Sequence, residues 1–98
     1  MIRHILLLQL RDGATAADIA SARDALGGLI GPIPGLLNYH WGVNIAPQER
    51  RDGYTHGFSM DFADKPSLDA YGPHPLHQAA VLKVRAAFER IAVFDFEL

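Results

Sequence analysis

The stretch YTHGFSMDFAD, residues 54–64, alternates two kinds of side chain with a period of two. Large ring-bearing or apolar side chains occupy every second position, at Tyr54, His56, Phe58, Met60 and Phe62. The positions between them carry small or polar residues. Alternation of this kind predicts a strand with one buried face.

The segments upstream of this strand predict its partners in a sheet. Residues 46–53 (APQERRDG) are polar and contain proline and glycine, which predicts an exposed hairpin connection. Residues 36–45, rich in Leu, Tyr, Trp and Val, then form the preceding strand. Residues 2–11 (IRHILLLQLR) are apolar on both alternating faces, as in a central strand.

Three helical segments and a last strand complete the chain. Residues 15–31 have apolar side chains at helical spacing, with Thr15 as N-cap. Residues 66–71 predict a short helix that begins with proline, and a longer helix begins near His74. The sequence IAVFDFEL, residues 91–98, predicts a closing strand.

The order β-α-β-β-α-β predicts an α+β fold, a ferredoxin-like sandwich whose four-stranded antiparallel sheet carries its helices on one face. We expect residues 1–98 to form a single domain, because this length is typical of one. The other face of the sheet, with Ile5 and Leu7, is too apolar to be left in water. A second copy of the chain is expected to cover it, which predicts a homodimer through the sheet face.

The composition argues against several classes of function. With 49% hydrophobic and 20% charged residues, the chain falls in the range of folded proteins. A net charge of -2 without a dense Lys/Arg block argues against nucleic acid as a ligand. The absence of cysteine excludes thiolate chemistry. No apolar stretch reaches the roughly 18–20 residues needed to cross a bilayer, so we expect no membrane association and a cytoplasmic protein.

Histidines are concentrated in DAYGPHPLHQAAV, residues 69–81. Steps of three and four residues predict one helical stripe that comprises His74, His77, Val81, Val84, Phe88 and Ile91. His4 and His56 lie near the starts of the first and third strands, which are expected to be parallel neighbours, so these two histidines should meet. With Tyr54 and Tyr71, the histidines are expected to surround one cavity and to contact its ligand.

Such a cavity suits proton transfer, because imidazole titrates near neutral pH and a tyrosine hydroxyl stabilises an oxygen that develops negative charge. Each histidine also has a structural interpretation, as a hydrogen-bonded core residue. His40 fits a structural or dimer-facing position better than a site.

Other chemistries have weaker support. His74 and His77 are three residues apart without Cys or a nearby Glu, which is a weak metal signal, so no metal is expected. The sequence contains no glycine-rich phosphate loop and no nucleophile elbow. Asp95 and Glu97 are expected to point outward from the last strand.

Several segments together resemble the stress-responsive dimeric A/B barrel family, known as Dabb. They span nearly the whole chain and are IRHILLL (2–8), IPGL (33–36), WGVN (41–44), GYTHGFSMDFAD (53–64), LDAYGPHPLHQAAV (68–81) and VFDFE (93–97). The resemblance implies a homodimer in which two ferredoxin-like subunits join through their sheets into an α/β barrel.

The resemblance also implies site residues. In polyketide cyclases of this family, which need no metal or cofactor, a tyrosine and the second histidine of an AYxxHPxH motif are the catalytic pair, and they match Tyr71 and His77. His77 would remove a proton α to a carbonyl, while Tyr71 would bind the carbonyl or enolate oxygen. Supporting pocket histidines of the family match His4, His56 and His74.

Three functional hypotheses follow. The leading one is a cofactor-free acid-base enzyme, a cyclase, isomerase or lyase, that acts on an enolisable carbonyl or polyketide-like compound. By the same resemblance, Gly72 and Pro73 replace a bulkier apolar pair expected in the plant polyketide cyclases of the family, which favours a smaller substrate. The competing hypothesis is a non-enzymatic stress-responsive or small-ligand-binding dimer. A haem-handling or monooxygenase-like barrel is suggested by fold analogy alone.

Overall fold

A computed structural model describes residues Met1–Leu98 and shows an α+β fold with one four-stranded sheet. The strands are β1 (Ile2–Leu10), β2 (Leu36–Val43), β3 (His56–Phe62) and β4 (Phe88–Glu97). The helices are α1 (Ala16–Gly27), α2 (Lys65–Tyr71) and α3 (Pro75–Ala87). The predicted order of elements is confirmed. None of the three helices has the length and apolar character needed to span a bilayer.

The sheet has the order β2-β3-β1-β4, and each neighbouring pair of strands is antiparallel. The expectation that β1 and β3 run parallel is wrong. Because α1 returns the chain before β2, β2 runs in the direction of β1, and the hairpin then reverses the chain into β3. The register pairs His4 with Met60 and His56 with Leu8. His4 and Leu8 are four residues apart, or about 13 Å along β1, so His56, which lies opposite Leu8, is separated from His4 by a similar distance along the sheet.

The start of α1 is fixed by a reciprocal cap. The Thr15 hydroxyl accepts from the Asp18 N–H at 3.1 Å, and the Asp18 carboxylate accepts from the Thr15 N–H at 2.9 Å. This capping box confirms Thr15 as the N-cap. α1 ends at Gly27 and not at residue 31, because tighter turns follow it up to Gly31, whose φ is +97°.

The position of α2 depends on a close approach to the start of β2. Asp64 caps the helix by accepting from the Ser67 N–H at 2.9 Å. Gly35 has a φ of +80°, and a Cβ added there would lie 2.3 Å from the Ser67 hydroxyl oxygen. Only glycine fits this contact without displacement. The contact fixes α2, and with it Tyr71, against the sheet.

α3 ends earlier than its apolar stripe predicts. Phe88 has extended backbone angles, φ -127° and ψ 137°, and begins β4. Phe88 and Ile91 are therefore strand residues, and the prediction that they continue the helical stripe is wrong. Both still contribute to the core, because Phe88 is 1% exposed and Ile91 packs against the buried cluster. An irregularity in the β1–β4 pairing, where the register shifts between Gln9 and Leu10, lets both side chains face the core although they are three residues apart.

The hydrophobic core lies between the helices and one face of the sheet. Its largest fully buried side chains are Leu8, Met60, Phe62 and Phe88. The opposite side of the sheet, here called the open face, includes Ile5 and Leu7 of β1 and Phe94 of β4. Leu7 is 42% exposed and Phe94 is 63% exposed. The face predicted to need a cover is thus uncovered in the single chain.

One nearly buried carboxylate lies on the open face. Asp61, 4% exposed, accepts from Arg3 Nε at 2.9 Å and Arg3 Nη2 at 3.0 Å, and from Asn38 Nδ2 at 2.8 Å. The hydrogen bond from Arg3 outweighs the effect of desolvation and lowers the pKa of Asp61 from 3.8 to about 2. The ionised carboxylate therefore ties β1, β2 and β3 together.

Candidate active site

A cavity of about 280 Å³ lies between α3 and the helix-facing side of the sheet. Its apolar walls include Leu6, Leu26, Phe58, Val81, Val84, Ile91 and Val93. Three ring side chains with polar atoms, from β1, α2 and α3, also line it: His4, Tyr71 and His77. The Tyr71 ring centroid is 4.1 Å from that of His77 and 6.0 Å from that of His4. Three of the predicted site residues therefore meet in one cavity.

Tyr71 is packed but has an unpaired hydroxyl. The residue is 3% exposed, and its ring lies 5.0 Å from that of Phe62. Its hydroxyl has no hydrogen-bond partner in the protein. Every side-chain polar atom that is sealed from solvent in this structure does have such a partner. The hydroxyl oxygen is therefore not sealed from solvent. Burial raises the pKa of Tyr71 well above its ordinary value of 10.0, so the phenol keeps its proton at neutral pH and can donate it in a hydrogen bond.

His77 has one occupied and one free ring nitrogen. Its Nδ1 lies 2.8 Å from the carbonyl oxygen of Gly72. Because a carbonyl can only accept, Nδ1 carries the hydrogen and donates it, which leaves the lone pair of the neutral ring on Nε2. Gln78 Nε2 donates to the same carbonyl at 2.7 Å. His77 Nε2 has no partner in the protein, as a proton acceptor for a ligand requires.

His4 is held by a carboxylate that the sequence did not indicate. Its Nδ1 lies 2.5 Å from Asp95 Oδ1, and the two residues face each other in the β1–β4 register. The expectation that Asp95 points outward is wrong, because Asp95 lies on the same row of β4 as Ile91 and Val93, which line the cavity. The Asp95 carboxylate fixes the orientation and tautomer of His4.

His74 lies outside this cavity and caps α3. Its Nδ1 accepts from the Leu76 N–H at 3.1 Å, which satisfies a free N–H group at the helix start. His74 lines a neighbouring pocket of about 370 Å³ that also contains Asp64 and Ser67. Tyr71 lines both spaces and is their common wall.

His56 lies at the other end of the sheet. Its ring packs 5.8 Å from that of Trp41 and 5.4 Å from that of Phe88. Its Nδ1 lies 2.8 Å from the Thr55 hydroxyl, and burial lowers the pKa of His56. The expectation that His4 meets His56 is wrong, because antiparallel pairing of β1 and β3 separates them.

Tyr54 also lies away from the cavity, just before β3. Its hydroxyl accepts from Arg90 Nε at 3.1 Å, and the Arg90 guanidinium carbon is 4.3 Å from the ring centroid. Arg90 also pairs with the Asp52 carboxylate at 2.7 Å. This cluster joins the β2–β3 connection to β4 and does not contact His4, Tyr71 or His77.

The remaining predicted residues lie apart from the cavity. His40 is exposed on the open face, opposite Ser59 of β3. No three His, Asp or Glu side chains come close enough together to form a metal site.

The fold and the cavity define a class of small α+β proteins, in which a four-stranded antiparallel sheet and its helices enclose a site lined by histidine and tyrosine. The sequence profile of the family described as Stress responsive A/B Barrel Domain, or Dabb, matches residues 2–98. The chain belongs to this family, and the resemblance of its motifs is confirmed.

The chain is similar in sequence or structure to the following three proteins. Stress-response A/B barrel domain-containing protein HS1 of Arabidopsis thaliana is 25% identical over 98% of this chain and 88% of that protein. Olivetolic acid cyclase of Cannabis sativa is 24% identical over 97% of this chain and 94% of that protein. A solved dimeric ferredoxin-like protein of unknown function from Jannaschia sp. CCS1 is 32% identical, with a TM-score of 0.86, over 99% of this chain and 98% of that one. The predicted ferredoxin-like fold is thereby confirmed.

Proposed function

We propose that this protein is a cofactor-free acid-base enzyme of the cyclase, isomerase or lyase type, acting on a small enolisable carbonyl or polyketide-like compound. The observation that carries the proposal is the pair formed by His77 and Tyr71. An imidazole with a free Nε2 and a phenol with a free hydroxyl lie side by side in a cavity with mostly apolar walls. Apolar surroundings strengthen hydrogen bonds to a developing oxyanion.

His77 and Tyr71 have complementary roles in this reaction. His77 Nε2 takes the proton from the carbon next to the carbonyl group, and the electrons of the broken C–H bond form the C=C bond of an enolate. The carbonyl oxygen gains the negative charge and accepts a hydrogen bond from the Tyr71 hydroxyl. If the enolate isomerises, His77 returns its proton to carbon. If the enolate attacks a second carbonyl, a C–C bond forms, the C=O π bond breaks, and His77 gives its proton to the resulting alkoxide oxygen.

His4 contributes a second imidazole, whose ring centroid is 6.0 Å from that of Tyr71. Because its Nδ1 donates to Asp95, its Nε2 is the nitrogen left for a substrate oxygen. His56, His74 and Tyr54, which were expected to contact substrate, have hydrogen-bond partners elsewhere, and the proposal gives them structural roles.

The likeness to olivetolic acid cyclase supports a cyclase-type reaction, since it extends over nearly the full length of both chains. The cavity supports a small substrate. Its volume of about 280 Å³ lies just below the range of roughly 300–1,000 Å³ found for small-molecule sites.

The test is deuterium exchange at the carbon next to a carbonyl, followed by proton NMR in D2O with 2-heptanone as the probe. The wild-type protein is expected to accelerate exchange, and His77→Gln is expected to lower the rate by at least about 100-fold. Gln78→Ala is the matched control, because Gln78 donates to the same Gly72 carbonyl without lining the cavity. A wild-type rate equal to that of buffer would refute the proposal and favour a non-enzymatic ligand-binding protein.

The proposed enzyme is a homodimer through the open face. The exposed apolar side chains of this face and the dimeric state of the Jannaschia relative support this assembly. Light scattering after size-exclusion chromatography is expected to give twice the chain mass of 10.7 kDa. Phe94→Lys is expected to shift the protein toward the monomer, and a monomeric wild-type protein would contradict the assembly.

A further inference from the structure

We infer that Arg85 binds a carboxylate at the far end of the cavity, and that the substrate is therefore an oxo acid. The inference rests on the proposed function for the carbonyl end of the substrate and adds a binding group for the substrate's other end. Arg85 lines the same cavity as His77 and Tyr71. It is the only side chain with a permanent charge among the lining residues.

The Arg85 guanidinium has no partner in the protein. The chain has seven arginines, and five of them donate hydrogen bonds from their side chains: Arg3, Arg11, Arg23, Arg51 and Arg90. Arg50 and Arg85 do not, and Arg50 lies in the exposed connection between β2 and β3. Arg85 is thus the one unpaired arginine that borders a cavity. A guanidinium group binds a carboxylate in a bidentate manner.

The cavity has two chemically different ends. His77 and Arg85 are eight residues, and so about 12 Å, apart along α3. Val81 lies between them on the same side of the helix and lines the cavity. β4 runs back along α3, so Ile91 lies toward the Arg85 end and Asp95 beside His4 lies toward the His77 end.

This distribution of charge orients a ligand. The Asp95 carboxylate at the histidine end repels an anionic group, whereas Arg85 attracts one at the opposite end. Arg11 adds positive charge there, because its Nη2 donates to the Arg85 carbonyl at 3.1 Å. The ligand that fits has a carbonyl at the His77 end, apolar carbons along the middle and a carboxylate at Arg85.

The probes are 6-oxoheptanoate and its methyl ester, which share a ketone and a carbon chain and differ in charge. Dissociation constants are measured by NMR titration of the wild type, Arg85→Gln and Lys83→Gln. Lys83 is the matched control, since it is an exposed cation on the same helix that does not line the cavity. The wild type is expected to bind the acid at least about tenfold more tightly than the ester. Arg85→Gln should abolish this preference, and Lys83→Gln should keep it.

Equal binding of acid and ester by the wild type would overturn the inference, and so would a preference that survives Arg85→Gln or disappears in Lys83→Gln. Deuterium exchange of 2-heptanone, which has no carboxylate, tests the proposed function independently of the carboxylate site. Lys83→Gln, outside the cavity, should leave that exchange unchanged, while His77→Gln should lower it by at least about 100-fold. A preference for the acid without any exchange by the wild type would support the carboxylate site and refute the enzyme.

Discussion

Replacing Tyr71 by phenylalanine separates a catalytic hydroxyl from a structural ring. The ring is 3% exposed and packs against Phe62 and His77, so Tyr71→Phe keeps the packing. An internal hydrogen bond typically contributes about 1 kcal/mol to stability, and the Tyr71 hydroxyl has none to lose. The free energy of unfolding is therefore expected to change by less than about 0.5 kcal/mol. The rate of 2-heptanone exchange is expected to fall by about 100- to 1,000-fold.

The assay combines urea unfolding, monitored by the fluorescence of Trp41, with the exchange measurement at a single protein concentration. Tyr71→Ala serves as the contrast, because it leaves a void beside Phe62 and is expected to cost about 3–5 kcal/mol. A destabilisation of more than about 1.5 kcal/mol in Tyr71→Phe would show that the hydroxyl has a structural partner in solution. Unchanged exchange in a stable Tyr71→Phe variant would refute its role as an oxyanion donor.

Three further predictions concern stability and orientation. Because the pKa of Asp61 is lowered on folding, its ionised carboxylate stabilises the fold above about pH 4, and this contribution is lost as the pH falls from the unfolded pKa of 3.8 toward about 2. The urea concentration at the unfolding midpoint, measured between pH 2 and 6, should therefore decrease less steeply with falling pH in Asp61→Asn than in the wild type. Parallel curves would contradict this. Gly35→Ala should destabilise by about 1–3 kcal/mol more than Gly31→Ala in thermal unfolding, since both have positive φ but only the former meets Ser67, and equal losses would exclude the clash. Asp95→Asn should lower exchange by about tenfold and alter the ¹⁵N shifts of its histidine partner, and unchanged shifts would disprove the pairing.

Most of the fold follows from local patterns. The alternation around Phe58 and Met60 gives β3 its buried face, and Thr15 begins a helix because its side chain and that of Asp18 satisfy each other's backbone N–H groups. Strand direction requires more than local pattern. Each α-helix and each hairpin reverses the chain, and counting these reversals through β2 would have shown that β1 and β3 are antiparallel.

The candidate site was only partly predictable. The resemblance to the Dabb family pointed to Tyr71 and His77 as a pair, and the structure places their rings side by side. Asp95 was missed because both alternating rows of β4 contain apolar residues, so the sequence does not fix which row faces the helices. The signal that could have found it is the antiparallel register, which places Asp95 opposite His4. Arg85 follows His77 by eight residues on the same side of α3, but its freedom from ion pairs is visible only in the folded chain.

The central claim is that the free Nε2 of His77 and the free hydroxyl of Tyr71 act on one carbonyl compound. The most direct measurement is a crystal structure of the protein soaked with 2,4-pentanedione. We expect one diketone oxygen within hydrogen-bonding distance of the Tyr71 hydroxyl, and the central carbon next to His77 Nε2. A cavity filled by side chains, with both groups hydrogen-bonded to the protein, would contradict the account.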